Sequence, residues 1–280
     1  MARRLKLLVQ LSTLAVAGAA ALSACGGEGE GEGAEGEGSE GAKSSLSAPS
    51  AEGEGGGGSG GEGEGATASA TDATDKPAYL SRLMMLHGHL KAGTALYAAG
   101  ESSQAAVHMK HPHDELYMTL APMMKAWGAR DISPELNDLA QRVEGGMPVA
   151  GVEEAFASLR GAAARAAQAS KPVLKETLLA AALTLRQAAA EYEEGVQDGA
   201  VVNPKEYQDA YGFIAVVVET LGGVEGADEA EKTAVAVARE QAALALAVAP
   251  TVAPPAKPEG KASTIYAAAT RIELAALGLD

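Results

Sequence analysis

The sequence predicts an all-α fold, a multi-helix bundle of about eight or nine helices behind a disordered Gly/Glu-rich tether. Three observations carry this expectation. From about residue 78 onward apolar residues recur at 3.6-residue spacing, without a convincing run of strand-like alternation. The same region is rich in alanine, the strongest helix former. Glycines and prolines fall mostly between the periodic stretches, where helices start and stop. With only 4% aromatic residues, the core must be built from Ala, Leu and Val, with helices approaching closely.

The periodicity places helices near 78–99, 102–110, 113–128, 134–145, 149–169, 172–199, 204–222, 228–248 and 262–277. Gly100, Gly128, Gly145-Gly146, Gly199 and Gly222-Gly223 stand at the expected C-termini, where a left-handed residue closes a helix. Asn203-Pro204-Lys205-Glu206 reads as an N-cap, a first-turn proline and a capping-box glutamate, and Ser133-Pro134-Glu135 opens another helix similarly. Pro122 falls inside the third pattern and should kink it. The prolines 250, 254, 255 and 258 mark the longest internal loop. No segment after the N-terminal one is long and apolar enough to span a bilayer.

Composition divides the 280 residues into three pieces: 1–24, 25–74 and 75–280. In the first, Arg3, Arg4 and Lys6 precede an apolar run from Leu7 to Leu22 and then Ser23-Ala24-Cys25, the order of an export signal peptide. Leu22-Ser23-Ala24-Cys25 resembles the lipobox of bacterial lipoproteins, and the chain's one cysteine stands at the lipidation position. The resemblance implies cleavage before Cys25 and acylation of its thiol. Two or three acyl chains, at about 0.8 kcal/mol per buried methylene, would hold the protein at the cell envelope. An uncleaved anchor is the alternative, although the run is short of the roughly 20 residues a span needs. Arg3-Arg4 also leaves a twin-arginine export route open. After Cys25 come Gly26 and Gly27, with no aspartate resembling an inner-membrane retention signal, so a Gram-negative envelope would place the protein on the outer membrane, facing the periplasm.

From Gly26 to Gly65 there are 17 glycines and 10 glutamates, with Lys43 the only cation. Such a stretch offers too little apolar surface to offset the entropy of folding and should act as a tether of roughly 35 Å reach. Its carboxylates could also hold cations weakly, without selectivity. The formal charge of −15 argues against nucleic acid as a partner, since phosphate neutralisation needs a basic face. One cysteine excludes a disulfide framework and any all-cysteine metal site.

Chemistry concentrates in one place. All five histidines, His87, His89, His108, His111 and His113, lie within 27 residues, and Met84, Met85, Met109, Met118, Met123 and Met124 fall in nearly the same region. These are the soft-to-borderline ligand types of the chain. His108 and His111, three apart on a helix, form a chelating pair, and Glu115 follows four residues later. Gly100-Glu101 alone separates the first two predicted helices, so they should fold back and bring 85–89 towards 108–115. The expected ligand set is His89, His108, His111 and Glu115, with Met85, Met109, His87 and His113 as further candidates. His87 and His89 stand about 200° apart around the helix and cannot share one ion undistorted, and His87 also reads as a hydrogen-bonded core residue. Asp114 and Glu115 also suit a helix N-terminus, and Met123 and Met124 suit a core stripe. No nucleophile accompanies the cluster and no phosphate loop exists, so a binding protein is expected and not an enzyme.

Histidine with carboxylate suits iron, zinc or Cu(II), and histidine with methionine suits Cu(I). The expected cargo is therefore a transition-metal ion, iron or copper. Noncovalent haem is a lesser alternative that the alanine-rich core disfavours, and Cys-x-x-Cys-His is absent. A structural or partner-binding lipoprotein without metal is the other. Gly88-His89-Leu90 with Gly93 and Leu96, then His108 to Tyr117, resembles a motif of uncharacterised exported helical proteins of bacteria. Gly195 to Tyr207 with Phe213 resembles part of the periplasmic helical extension of some bacterial high-affinity iron permeases. That likeness implies a metal-transport partner or relative, with Glu206 and Tyr207 as motif positions. The permeases' membrane helices and Arg-Glu-x-x-Glu iron motif are absent here.

Overall fold

A computed structural model describes residues 72–112 and 116–280, with the backbone alone at residue 111. The signal and lipidation segment with Cys25 lies outside the described residues, as do nearly all of the Gly/Glu-rich spacer, His113 and Glu115. Nine helices stand among the described residues: α1 (Lys76–Ala98), α2 (Ser102–His111), α3 (Tyr117–Ala126), α4 (Ser133–Glu144), α5 (Val149–Ala169), α6 (Leu174–Gly195), α7 (Pro204–Gly222), α8 (Glu229–Leu246) and α9 (Ala262–Leu277). The all-α expectation holds, and no described helix is long and apolar enough to cross a membrane.

Helices α6 to α9 form a closed set: α6 lies against α7 and α9, and α8 against the same two. Helix α1 packs across α6 and α7 and carries α2 and α5 on its other sides. Asp75 starts α1 by accepting a hydrogen bond from the Ala78 amide at 3.0 Å, satisfying one of the donors a helix start leaves open. The core is made largely of alanine and leucine, with Tyr79, Tyr192, Tyr207 and Phe213 as its largest fully buried members. Alanine lets helix axes come close, and glycine takes this furthest. A Cβ on Gly212 of α7 would stand 2.2 Å from the Gly88 carbonyl oxygen of α1. Where α2 returns along α1, as its short connection requires, a Cβ on Gly93 would meet Met109 Cε at 2.8 Å and His108 Cβ at 3.1 Å.

Two expectations are corrected. The helix read as 172–199 ends at Gly195, and Val196–Gln197 (β1) pairs antiparallel with Ala200–Val201 (β2). Asp198 and Gly199, both at positive φ, make the two-residue turn. Asp-Gly is a hairpin signal, and β-branched Val196, Val201 and Val202 around it favour extended backbone. At Asn203 the capping box does not form: its Nδ2 donates to Glu206 Oε1 at 3.3 Å, and its side chain does not cap the helix. Glu206 thus turns towards the protein interior, where it is buried.

Candidate metal centre

The two glycine contacts position the site. Close approach at Gly88 and Gly212 sets His89 of α1 against the start of α7, and Gly93 lets α2 lay His108 beside it. Between them stands Asp209 of α7, which is fully buried. His89 Nδ1 donates to Asp209 Oδ1 at 2.5 Å, and His108 Nδ1 donates to the same oxygen at 2.8 Å. His108 Nε2 donates to Gln208 Oε1 at 2.8 Å, and Gln208 Nε2 donates in turn to Gln104 Oε1 at 2.6 Å. The His89 ring stands edge-on to Phe213, with centroids 4.7 Å apart.

Burial disfavours charge on Asp209, but the positive charge at His89, hydrogen bonds from His108 and His89, and the charge at His108 outweigh it and hold the carboxyl well below the usual range. Asp209 Oδ2 is buried without a hydrogen-bond partner, and Lys205 Nζ is 3.9 Å from it. An ionised, buried carboxylate with one oxygen facing only a loosely placed ammonium is suited to a closer cation. Ligand atoms of His89, His108 and Asp209 lie within 4.8 Å of one another. Two imidazoles and one carboxylate form a borderline donor set that fits iron, zinc or Cu(II) better than Cu(I). A cleft of about 430 Å³ reaches His108, lined also by Gln104, Asn203, Lys205 and Gln208.

Of the residues predicted from sequence, His89 and His108 meet. The side chain of His111, with His113 and Glu115, falls outside the described residues. Met109 is buried against Gly93 and Met85 is half-buried against the core, so both methionines pack there. His87 is separated from His89, as its angular offset requires. Its ring meets Phe156 at 5.4 Å, and its buried Nε2 has no hydrogen-bond partner, contrary to the reading of a hydrogen-bonded core histidine. Burial pushes His87 down to about 4.

Asp209 is the residue sequence reasoning missed. The signal was present, since Asp209 lies on the same stripe as Phe213, Val216 and Val217, where an acidic side chain is out of place unless it has partners. A second group, Glu191, Glu194 and Glu206, gathers where α6 and α7 meet at the hairpin. Glu191 accepts from Gln187 Nε2 at 2.5 Å, and Lys205 Nζ donates to Glu206 Oε1 at 3.3 Å. The side chain of Lys205 therefore stands between the two groups.

Residues 165–276 match the iron permease-associated 4-helix bundle domain family. The match spans α6 to α9, the closed set of four helices, and contains the stretch from Gly195 to Phe213 whose likeness to iron permeases is visible in the sequence. No curated protein and no solved structure matches the chain. Asp209, Gln208 and the three glutamates lie inside the matched region, whereas His89 and His108 come from helices before it. In its C-terminal half the chain is similar to an iron permease-associated domain, and the candidate centre lies where that half meets α1 and α2.

Proposed function

We propose that this protein is a lipid-anchored, periplasm-facing helical protein that binds a transition-metal cation through His89, His108 and Asp209 and handles it alongside a transport partner. The observation that carries the reading is the convergence of two imidazoles and a buried carboxylate from three helices on one point. The donor set fits iron or copper(II), and the likeness to an iron permease-associated domain favours iron. Anchoring through Cys25 belongs to the same proposal and rests on the lipobox alone.

The residues divide the work. Asp209 supplies negative charge, the histidines supply nitrogens, and Gln208 orients the His108 ring. Both Nδ1 atoms hold protons on Asp209 in the metal-free network, so a cation competes with those protons and its affinity falls in acid. Binding, and not catalysis, is the proposed activity, because no nucleophile accompanies the site among the described residues.

The test is metal content by mass spectrometry on the full-length chain, followed by titration with Fe(II), Cu(II) and Zn(II). Near-stoichiometric metal in the wild type, lost in the His89→Ala, His108→Ala double variant, is the expected result. Unchanged stoichiometry in that variant would move the site elsewhere. The rival reading, a structural or partner-binding lipoprotein, is favoured by the hydrogen bonds the network already makes across α1, α2 and α7. It predicts no bound metal and no thermal shift with any of the three ions.

A further inference from the structure

On the opposite side of α1 from His89, a cavity of about 270 Å³ opens between α1, α5 and α7. Its apolar walls are the small side chains Ala163, Ala164 and Ala167 of α5, Leu80, Leu83 and Met84 of α1 and Val216 of α7. The polar lining is His87, Arg160 and Glu219, with Gln168 and Thr220.

The chemistry of that polar side is specific. His87 lines the cavity with its ring, while its Nε2 is shut away from it and without a hydrogen-bond partner. Glu219 accepts from Lys91 at 3.0 Å through Oε2 and from Arg160 at 3.2 Å through Oε1. Two cations share one anion, so one positive charge remains. If Arg160 turns to a ligand anion, Lys91 still neutralises Glu219.

We propose that this cavity is a binding site for a small amphipathic carboxylate, its aliphatic tail against Leu80, Leu83, Met84 and Val216 and its head group received by the Arg160 guanidinium. The site is independent of the metal centre: the two histidines point away from one another, and none of the cavity's lining residues is a proposed metal ligand. The apolar walls set the tail's contribution by area removed from water, and the cation sets the preference for a carboxylate over a neutral head.

Isothermal titration of the full-length chain with octanoate, octanol and acetate tests the proposal. Octanoate should bind, octanol should bind at least about tenfold more weakly, and acetate should give no heat. Each methylene removed from the tail should weaken binding about three- to fourfold. Ala167→Leu, which fills the cavity from a half-buried position, should abolish octanoate binding with the helical circular dichroism unchanged. Arg160→Gln should bring octanoate down to the affinity of octanol. In NMR spectra the His87 ring signals should move on octanoate addition while those of His89 and His108 stay. Equal affinity for octanoate and octanol overturns the assigned head group, undiminished binding in Ala167→Leu overturns the assigned cavity, and no binding by any of the three overturns the proposal.

Discussion

His87 and His89 are two residues apart on one helix and have opposite surroundings. His89 faces a buried carboxylate and a buried second imidazole, which is joined in turn to amides that end at the exposed Gln104. His87 faces alanine, leucine and an aromatic ring, with charged groups only at its margin. The same side chain is thus held by partners on one side and held neutral by burial on the other. The largest expected effect comes from destroying the first environment. Asp209→Ala leaves two buried imidazoles without their shared acceptor and should lower stability by about 3–5 kcal/mol in urea denaturation. It should also abolish metal binding. A loss under 1 kcal/mol would mean that the histidines find other acceptors and that the carboxylate does not organise the site.

The second environment predicts a pH effect of definite sign. His87 is depressed from 6.5 to about 4 in the fold. Its neutral form is therefore favoured by folding, and the unfolded chain binds the extra proton between those values. The stabilisation is fully present above pH 6.5 and is lost as the pH falls towards 4, by up to about 3 kcal/mol. Glu219, with Lys91 and Arg160, faces the ring and modulates the size of the effect without reversing it. As the pH falls from 6.5 towards 4 the wild type should lose stability relative to His87→Phe; parallel profiles across that window would mean that folding does not shift the ring.

A smaller effect probes how the two sides are kept in register. Gly212→Ala places a Cβ 2.2 Å from the Gly88 carbonyl, so α1 and α7 must part. Overpacking of this kind costs about 1–3 kcal/mol. It should also weaken metal binding with every proposed ligand intact, because His89 rides on α1 and Asp209 on α7. Undiminished metal affinity would show that the ligands tolerate a shift between the helices.

The sequence makes the helices legible because alanine-rich periodicity and terminal glycines agree along the chain. It also shows that His89 and His108 should meet, since the three-residue link 99–101 forces α1 and α2 together. It misses the hairpin at Asp198-Gly199, where a glycine suited to a helix end serves a turn instead. It misses Asp209 for another reason: a partner 120 residues away from His89 is set by the packing of α1 on α7, which local periodicity does not encode. The glycines that permit this packing, Gly88 and Gly212, lie inside helices. There they read as mild breakers until the neighbouring backbone is known.

The smallest effect is expected at Lys205, which joins the metal centre to the glutamates beside it. Its ammonium is 3.3 Å from Glu206 Oε1 and 3.9 Å from Asp209 Oδ2, on a side chain 28% exposed along the cleft that reaches His108. Without metal it supplies positive charge to a carboxylate that burial would otherwise penalise. A divalent cation at Asp209 would be repelled by the same ammonium, at about 4 kcal/mol per unit charge pair at 4 Å in a medium of effective dielectric 20. Because the lysine can swing towards solvent, only part of that repulsion should be felt. Lys205→Met is therefore expected to tighten metal binding about tenfold and to lower metal-free stability by about 1 kcal/mol. The opposing signs are the informative part, because damage to the fold would weaken both. If Lys205→Met weakens metal binding as well, the lysine does not compete with the cation but holds Glu206 and Asp209 in place for it.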